Sequence, residues 1–343
     1  MEFQALPGGK KRFHQTWQGR NVFCCNGHLM VGNNPYILFF TIPAILGPFV
    51  IYVIKISSQF HPAFLGSACV LCFLSVLGLA RASLTDPGVV PRRTDSSPPR
   101  MPSEKDVDGE PLRYCGTCNL YRVRRSKHCR FCDNCVLEFD HHCPWVGNCI
   151  GKRNYRYFLL FIVSTHLLCC QLVGQISYKA YIVSQAAVSD AWYHTAQTVI
   201  EEYPYHFGVG LYCLIVGMML TALVVYHTFL VCIGQTTNEA IRKSYAVNSN
   251  PYNIGFCRNL LRICFAELPE SLVNGQEWVS TGSDRCSTGS ISFNTYPPVA
   301  SSEQTLNQYR AVKTASDTAQ NANSDAEQQT HSTSIRIPDT NEI

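Results

Sequence analysis

The sequence predicts an all-α integral membrane protein, with four transmembrane helices and a small cysteine-rich module between the second and the third. Three observations predict it. Four long and nearly uncharged stretches, at about 36–54, 62–82, 157–176 and 207–233, meet or approach the ~20 apolar residues that cross a hydrocarbon core about 30 Å thick. A buried helix of a soluble protein is rarely apolar on every side for so long. The basic residues flanking these stretches are unevenly distributed, which sets an orientation. Finally, seven cysteines and three histidines crowd between Cys115 and Cys149.

Residues 1–35 read as an arm that begins polar and holds no apolar core of signal-peptide type. Helices one and two occupy 36–83. Pro43 and Pro48 in the first are tolerable within a bundle, where neighbours satisfy the freed carbonyls. Asp86-Pro87-Gly88 is a turn signal within a linker over 84–111, which is rich in Pro, Ser and charge from residue 91 and is expected to be flexible. The module, 112–156, is too short and polar for an ordinary hydrophobic core, so hairpins folded on metal are expected there. Helices three and four fill 157–233. The region 234–273 holds Thr236-Thr237-Asn238-Glu239 and Asn250-Pro251-Tyr252. Over 255–268, apolar residues interleaved with Arg258 and Arg262 predict an amphipathic interfacial helix. From 274 to 343 Ser, Thr, Asn, Gln and Asp dominate, and this tail is expected to be disordered.

The arm carries Lys10, Lys11, Arg12 and Arg20. The loop between helices two and three carries Arg92, Arg93 and Arg100 at one end and Lys152, Arg153 and Arg156 at the other, whereas the two remaining loops hold Lys55 and Lys179 alone. Both termini and the module are therefore expected in the cytosol. In that reducing compartment the eighteen cysteines read as metal ligands or catalysts, not as a disulfide framework. A net charge of +4 is small and argues against nucleic acid as a partner. Locally, Arg122, Arg124, Arg125, Lys127 and Arg130 make a sharp basic cluster.

The module reads Cys115-x2-Cys118, then His128, Cys129, Cys132 and Cys135, then Asp140-His141-His142-Cys143, and last Cys149. Cysteines two residues apart bite one zinc, and no thioredoxin-like βαβ pattern surrounds them to suggest redox use. Two closed four-coordinate sites would use eight of the ten candidates, leaving one cysteine and one histidine. That remainder is the minimum set for a nucleophile and its base. Cys143 differs from the other cysteines. It lacks a CxxC partner, follows two histidines and precedes Pro144-Trp145, an apolar turn beside the membrane. A thiolate there is a nucleophile, an adjacent imidazole takes its proton, and a carboxylate orients the imidazole. Asp140, His141 and Cys143 supply those types and leave His142 to the metal. The alternative makes Cys143 one more ligand and Asp140 a support for a ligand. Spacing alone does not decide between them.

The string CGTCNLYRVRRSKHCRFCDNCVLEFDHHCPWVGNCIGKRNYRYF resembles the DHHC cysteine-rich domain of protein S-acyltransferases (palmitoyltransferases). Asp86-Pro87-Gly88, Thr236-Thr237-Asn238-Glu239 (similar to the family's TTxE), Asn250-Pro251-Tyr252 and the four-span layout extend the resemblance over roughly 20–270. The segments GRNVFCCNGHLM and DPGVVPRR look most similar to the ER/Golgi branch that modifies Ras-like proteins with a small accessory subunit. Val123 departs from the family's usual proline, without removing a ligand. The resemblance implies one zinc held by Cys115, Cys118, His128 and Cys135, and a second by Cys129, Cys132, His142 and Cys149. It implies that Cys143 attacks the thioester of palmitoyl-CoA, with His141 as base and Asp140 orienting it. A cysteine of a membrane-anchored protein then takes the acyl group, and Thr237 contacts Asp140. An acyl chain of about 16 carbons, at ~0.8 kcal/mol per buried methylene, would bind strongly among the spans. Arg122, Arg124, Arg125, Lys127 and Arg130 are candidates for the CoA phosphates, or form a solvated or lipid-facing basic surface.

Other residues carry weaker signals. Cys24 and Cys25 are either juxtamembrane sites of S-acylation or packing residues. Cys169 and Cys170 read as packing. His166 and His227 read as interhelical hydrogen-bonding groups rather than catalysts, and Tyr212, Tyr226 and Thr221 either line an acyl cavity or join helices. Two other functions compete with acyl transfer. A zinc-module scaffold would not need a spare cysteine–histidine pair, and a metal-ion transporter would need carboxylates that the spans lack.

Overall fold

Apolar sequence becomes helix wherever the chain must satisfy its own backbone in lipid. Among the described residues, four helices long and apolar enough to cross a membrane result, at Pro35–Gln59, Pro62–Leu84, Tyr155–Gln185 and Pro204–Ile233. The computed structural model describes residues 10–93, 99–102, 111–186, 197–198, 200–245 and 250–280. Much of the expected flexible linker, and the expected tail from 281 onward, lie outside these residues.

Helix α1 (Leu38–Ile51) continues into a π-helical turn at Tyr52–Ile56. Helix α2 (Pro62–Leu84) starts with proline at its first position, where the missing N–H costs nothing, and His61 accepts from the Ala63 N–H. Helix α3 (Tyr155–Ala186) runs ten residues past the apolar stretch that ends at 176. Hydropathy marks the bilayer boundary, whereas the hydrogen-bonded ladder continues through Tyr178 and Tyr181, which are exposed. Helix α4 (Pro204–Ile233) ends at Gly234, whose left-handed φ of 64° is the usual glycine stop. Helices α2 and α3 approach closely at Gly78, where a Cβ would come within 2.6 Å of the Phe161 nitrogen. Small residues permit this approach within a membrane, and a Ser75–Thr165 hydroxyl contact of 2.5 Å lies in the same seam. Tyr212 Oη donates to the Ala44 carbonyl and joins α4 to α1.

The polar part is a set of short strands. β1 (Lys10–Arg12), β2 (Val22–Cys24) and β3 (Leu29–Val31) come from the arm, and β4 (Val89–Val90) from just after α2. The module adds β5 (Tyr114–Cys115), β6 (Leu120–Tyr121), β7 (Lys127–Cys129), β8 (Asn134–Val136), β9 (His141–Cys143) and β10 (Asn148–Ile150). Among the described residues four hairpins form, β2–β3, β5–β6, β7–β8 and β9–β10, and β4 pairs with β8. The arm packs onto this module. Asn134 Nδ2 donates to Asn21 Oδ1, the Arg20 N–H donates to the Cys132 carbonyl, and a Cβ at Gly32 would collide with the Gly147 carbonyl.

Past α4, Thr236 and Glu239 form a reciprocal capping box for α5 (Thr237–Ile241). Helix α6 (Phe256–Phe265) is amphipathic, with Leu261 and Phe265 exposed. Its buried Asn259 donates to the Val231 and Cys232 carbonyls, closing the open end of α4. The tail boundary differs from expectation. Trp278–Ser280 forms β11, antiparallel to β1, with the Arg12 guanidinium 4.0 Å above the Trp278 ring. A polar average over seventy residues hides one short apolar segment whose partner strand lies at the other end of the chain.

Candidate active site and metal centres

Strand alternation sorts the ligands. Successive side chains of a strand point to opposite faces, so His128 and Cys129 on β7 face opposite ways. His128 lies opposite Cys135 on β8, and the β5–β6 turn brings Cys115 and Cys118 to it. Cys118 Sγ is 3.3 Å and Cys115 Sγ 3.6 Å from His128 Nδ1. Cys129 joins Cys132, His142 and Cys149, with His142 and Cys149 directly opposed across β9–β10. In each group the four donor atoms lie within 4.8 Å of one another. Tetrahedral zinc, with bonds of about 2.3 Å to sulfur and 2.0–2.1 Å to nitrogen, needs such a spacing. The donor set fits as well, since Cys118, Cys132, Cys135 and Cys149 are fully buried and their thiolates need a cation. His128 Nε2 lies 3.3 Å from Asp133 Oδ1, the carboxylate that fixes a ligating imidazole's tautomer. Asp133 is itself paired with Arg92 at 2.6 Å. Sequence reasoning missed Asp133, although it sits between two predicted ligands.

The same alternation divides the tetrad. With His142 turned toward the metal group, His141 and Cys143 share the opposite face of β9, toward the spans. Cys143 is 5% exposed and belongs to the apolar cluster that includes Val146, Phe158 and Ile162. Asp140 is 2% exposed. Both its carboxylate oxygens accept from the backbone N–H of Thr237, at 3.2 and 3.1 Å, so the end of α4 is tied to the module through main chain. His141 Nδ1 lies 3.6 Å from Asp140 Oδ2. Burial pushes the Asp140 carboxyl up, but the neighbouring His141, with smaller contributions from His227 and Thr237, outweighs it and holds the group below the usual carboxylate range. Burial pushes His141 down, but Asp140 and Cys143 raise it to about 9. An imidazole so placed holds a proton firmly once it has taken one.

The cations of the basic cluster differ in their partners. Arg125 is held by an acidic partner: its side chain is 7% exposed, and its Nε and Nη2 meet both oxygens of Glu239 at 2.7 Å. Its guanidinium also lies 4.4 Å over the Tyr252 ring. A buried, bidentate, stacked arginine joins the module to the segment after α4. Lys127 donates to Asn238 Oδ1 at 2.7 Å. Arg130 is exposed, with its guanidinium over Phe131, while Arg122 and Arg124 are half-buried. Cys24 and Cys25 are exposed at the β2–β3 turn. Cys169 is buried and Cys170 exposed.

Three further residues stand at the site: His227, which the sequence marks as a hydrogen-bonding group within a span, and Phe158 and Tyr155, which carry no signal of their own. His141 meets the Phe158 ring edge-on at 5.2 Å and the His227 ring at 6.0 Å, and Tyr155 Oη is 3.0 Å from His227 Nδ1. A cleft of about 270 Å³ opens beside Asp140, with Lys152, Tyr155 and Arg262 in its wall.

The DHHC palmitoyltransferase family matches residues 109–244, which contain both metal groups and the tetrad. Probable protein S-acyltransferase 1 of Arabidopsis thaliana is 33% identical over 314 residues, covering 82% of this chain and 90% of the relative. Palmitoyltransferase ZDHHC9 of Mus musculus is 33% identical over 336 residues, covering 87% and 90%. The protein of that name from Homo sapiens is 34% identical over 300 residues, covering 77% and 80%. Agreement at this level over most of both chains, centred on the module that holds the paired zinc groups, means that the chain belongs to the DHHC family of protein S-palmitoyltransferases.

Proposed function

We propose that this multi-pass palmitoyltransferase works through an acyl-enzyme on Cys143, with His141 moving the proton and Asp140 orienting His141. The observation that carries this reading is the register of β9, which sets His141 and Cys143 on one face and His142 on the other. In the first step the Cys143 sulfur bonds to the acyl carbon while the bond from that carbon to the CoA sulfur breaks. The thiol proton passes to the His141 nitrogen remote from Asp140 and then to the departing CoA sulfur. In the second step a substrate thiol gives its proton to the same nitrogen and takes the acyl group, and Cys143 is restored as a thiol. Such double displacement gives ping-pong kinetics. Zinc held by Cys115, Cys118, His128 and Cys135 and by Cys129, Cys132, His142 and Cys149 would supply folding energy to the hairpins.

The apolar surroundings of Cys143 suit an attached acyl chain running between the spans. The unequal distribution of basic residues supports a cytosolic site. Similarity to the ER/Golgi branch supports placement in those membranes, Ras-like protein substrates and a small accessory subunit. Unchanged acylation of Ras-like proteins in cells lacking this chain would count against that substrate class.

The direct test incubates purified wild type and Cys143→Ala with labelled palmitoyl-CoA, then measures hydroxylamine-sensitive label and bound zinc. Label on wild type alone, with about two zinc ions retained by both proteins, is the expected result. Loss of zinc from the variant would make Cys143 a ligand and overturn the reading.

A further inference from the structure

His227 takes no part in the steps above, yet it stands beside them. Its ring lies near the C-terminal end of α4 and is 2% exposed. Phe158 lies 5.0 Å away and His141 6.0 Å away, centre to centre, and Nδ1 is 3.0 Å from Tyr155 Oη. Tyr155 and Phe158 are three residues apart on α3 and share a face. Four rings therefore meet, from β9, the first turn of α3 and the last turns of α4.

Packing alone would be met by phenylalanine. A polar ring at this depth is costly unless its nitrogens are bonded. The Tyr155 hydroxyl can donate to Nδ1, which leaves the His227 proton on Nε2 and fixes both side chains. His141, by contrast, is weakly held from its own strand. Its Nδ1 lies 3.6 Å from Asp140, beyond hydrogen-bond length, and the Asp140 oxygens are engaged by Thr237. The wall of rings that His141 packs against therefore adds to Asp140 in limiting the tilt of its ring.

We infer that His227, tethered by Tyr155, is a positioning residue for acyl transfer, holding the His141 imidazole aligned between Asp140 and Cys143. The inference rests on the roles given to Cys143 and His141 above. Misplacement of a catalytic group by about 1 Å costs on the order of 100-fold in rate, so loss of a tether behind it is expected to cost roughly tenfold.

The test compares wild type, Tyr155→Phe, His227→Phe and His227→Ala as full chains in lipid nanodiscs. Single-turnover acyl loading from palmitoyl-CoA, the KM for palmitoyl-CoA, the pH profile of Cys143 alkylation, zinc content and melting temperature are measured. Loading about tenfold slower in Tyr155→Phe and slower still in His227→Ala is expected. The KM should stay within about twofold, the alkylation profile should shift, and zinc should be retained. The double variant Tyr155→Phe/His227→Phe leaves no polar group unbonded and guards against a mere folding defect. It should melt like wild type and still load slowly. Wild-type loading in every variant, or losses that vanish when the double variant restores stability, would overturn the inference alone. Absence of label from Cys143 of wild type would overturn the reading of the site and this inference with it.

Discussion

Thr237 offers its main chain, not its hydroxyl, to the carboxylate it supports. The N–H reaches both Asp140 oxygens, whereas Oγ1 is buried with no partner among the described residues. Thr237 is the first residue of α5, a position that accepts proline. Thr236 before it already has φ −89° and ψ 159°, the extended geometry that proline imposes on its predecessor. Two substitutions therefore separate hydroxyl from amide. Thr237→Ala is expected to load acyl groups within about twofold of wild type. Thr237→Pro keeps the helix start but deletes a bond to a charged group worth about 1.5–3 kcal/mol, so loading should fall by tenfold or more. Equal losses in the two variants would show that the amide is not what matters.

Among the elements, what could be read from sequence follows the range of the signal. The CxxC pairs announce metal because both ligands of a pair lie within one turn. Whether Cys143 is the spare cysteine or one more ligand stayed open in the spacing, because the faces of 141–143 depend on whether it is extended, and a three-residue strand has no periodicity of its own. Once β9 is a strand, alternation divides the two histidines. The amphipathic α6 was readable from its own composition, whereas β11 and the ring cluster at His227 depend on partners from distant parts of the chain. Arg125 shows the same limit. In sequence it is one of five cations, but in the fold it pairs with Glu239, 114 residues away, and ties the module to α5. Breaking a buried pair by removing one partner costs about 3–5 kcal/mol. Arg125→Met and Glu239→Leu are each expected to lower the melting temperature sharply, and the double variant less than their sum, since it leaves no unpaired charge. Additive losses in that double-mutant cycle would mean that the pair does not act as a unit.

The molecule as a whole joins two parts held by different forces. The spans are stable because lipid surrounds apolar helices, while the module has too little apolar interior and depends on its metal groups. Asparagines bind the parts together. Asn154 Nδ2 donates to the Ala82 and Cys149 carbonyls, and Asn148 Nδ2 donates to the Ser83 carbonyl, so the end of α2, β10 and the start of α3 form one joint. Cys143 hangs from β9, which is framed by this joint on one side and by the group containing His142 and Cys149 on the other. Removing zinc should therefore release the nucleophile's backbone without unfolding the spans. A strong chelator acting on the nanodisc protein is expected to abolish acyl loading and expose the module to protease, while the far-ultraviolet helical signal changes little. Zinc added back before proteolysis should restore loading. Persistent loading after the metal has been stripped below about one ion per ten chains, against the two that paired four-ligand groups hold, would separate catalysis from the metal groups. Loss of the helical signal in step with zinc would show instead that the spans cannot stand without the module.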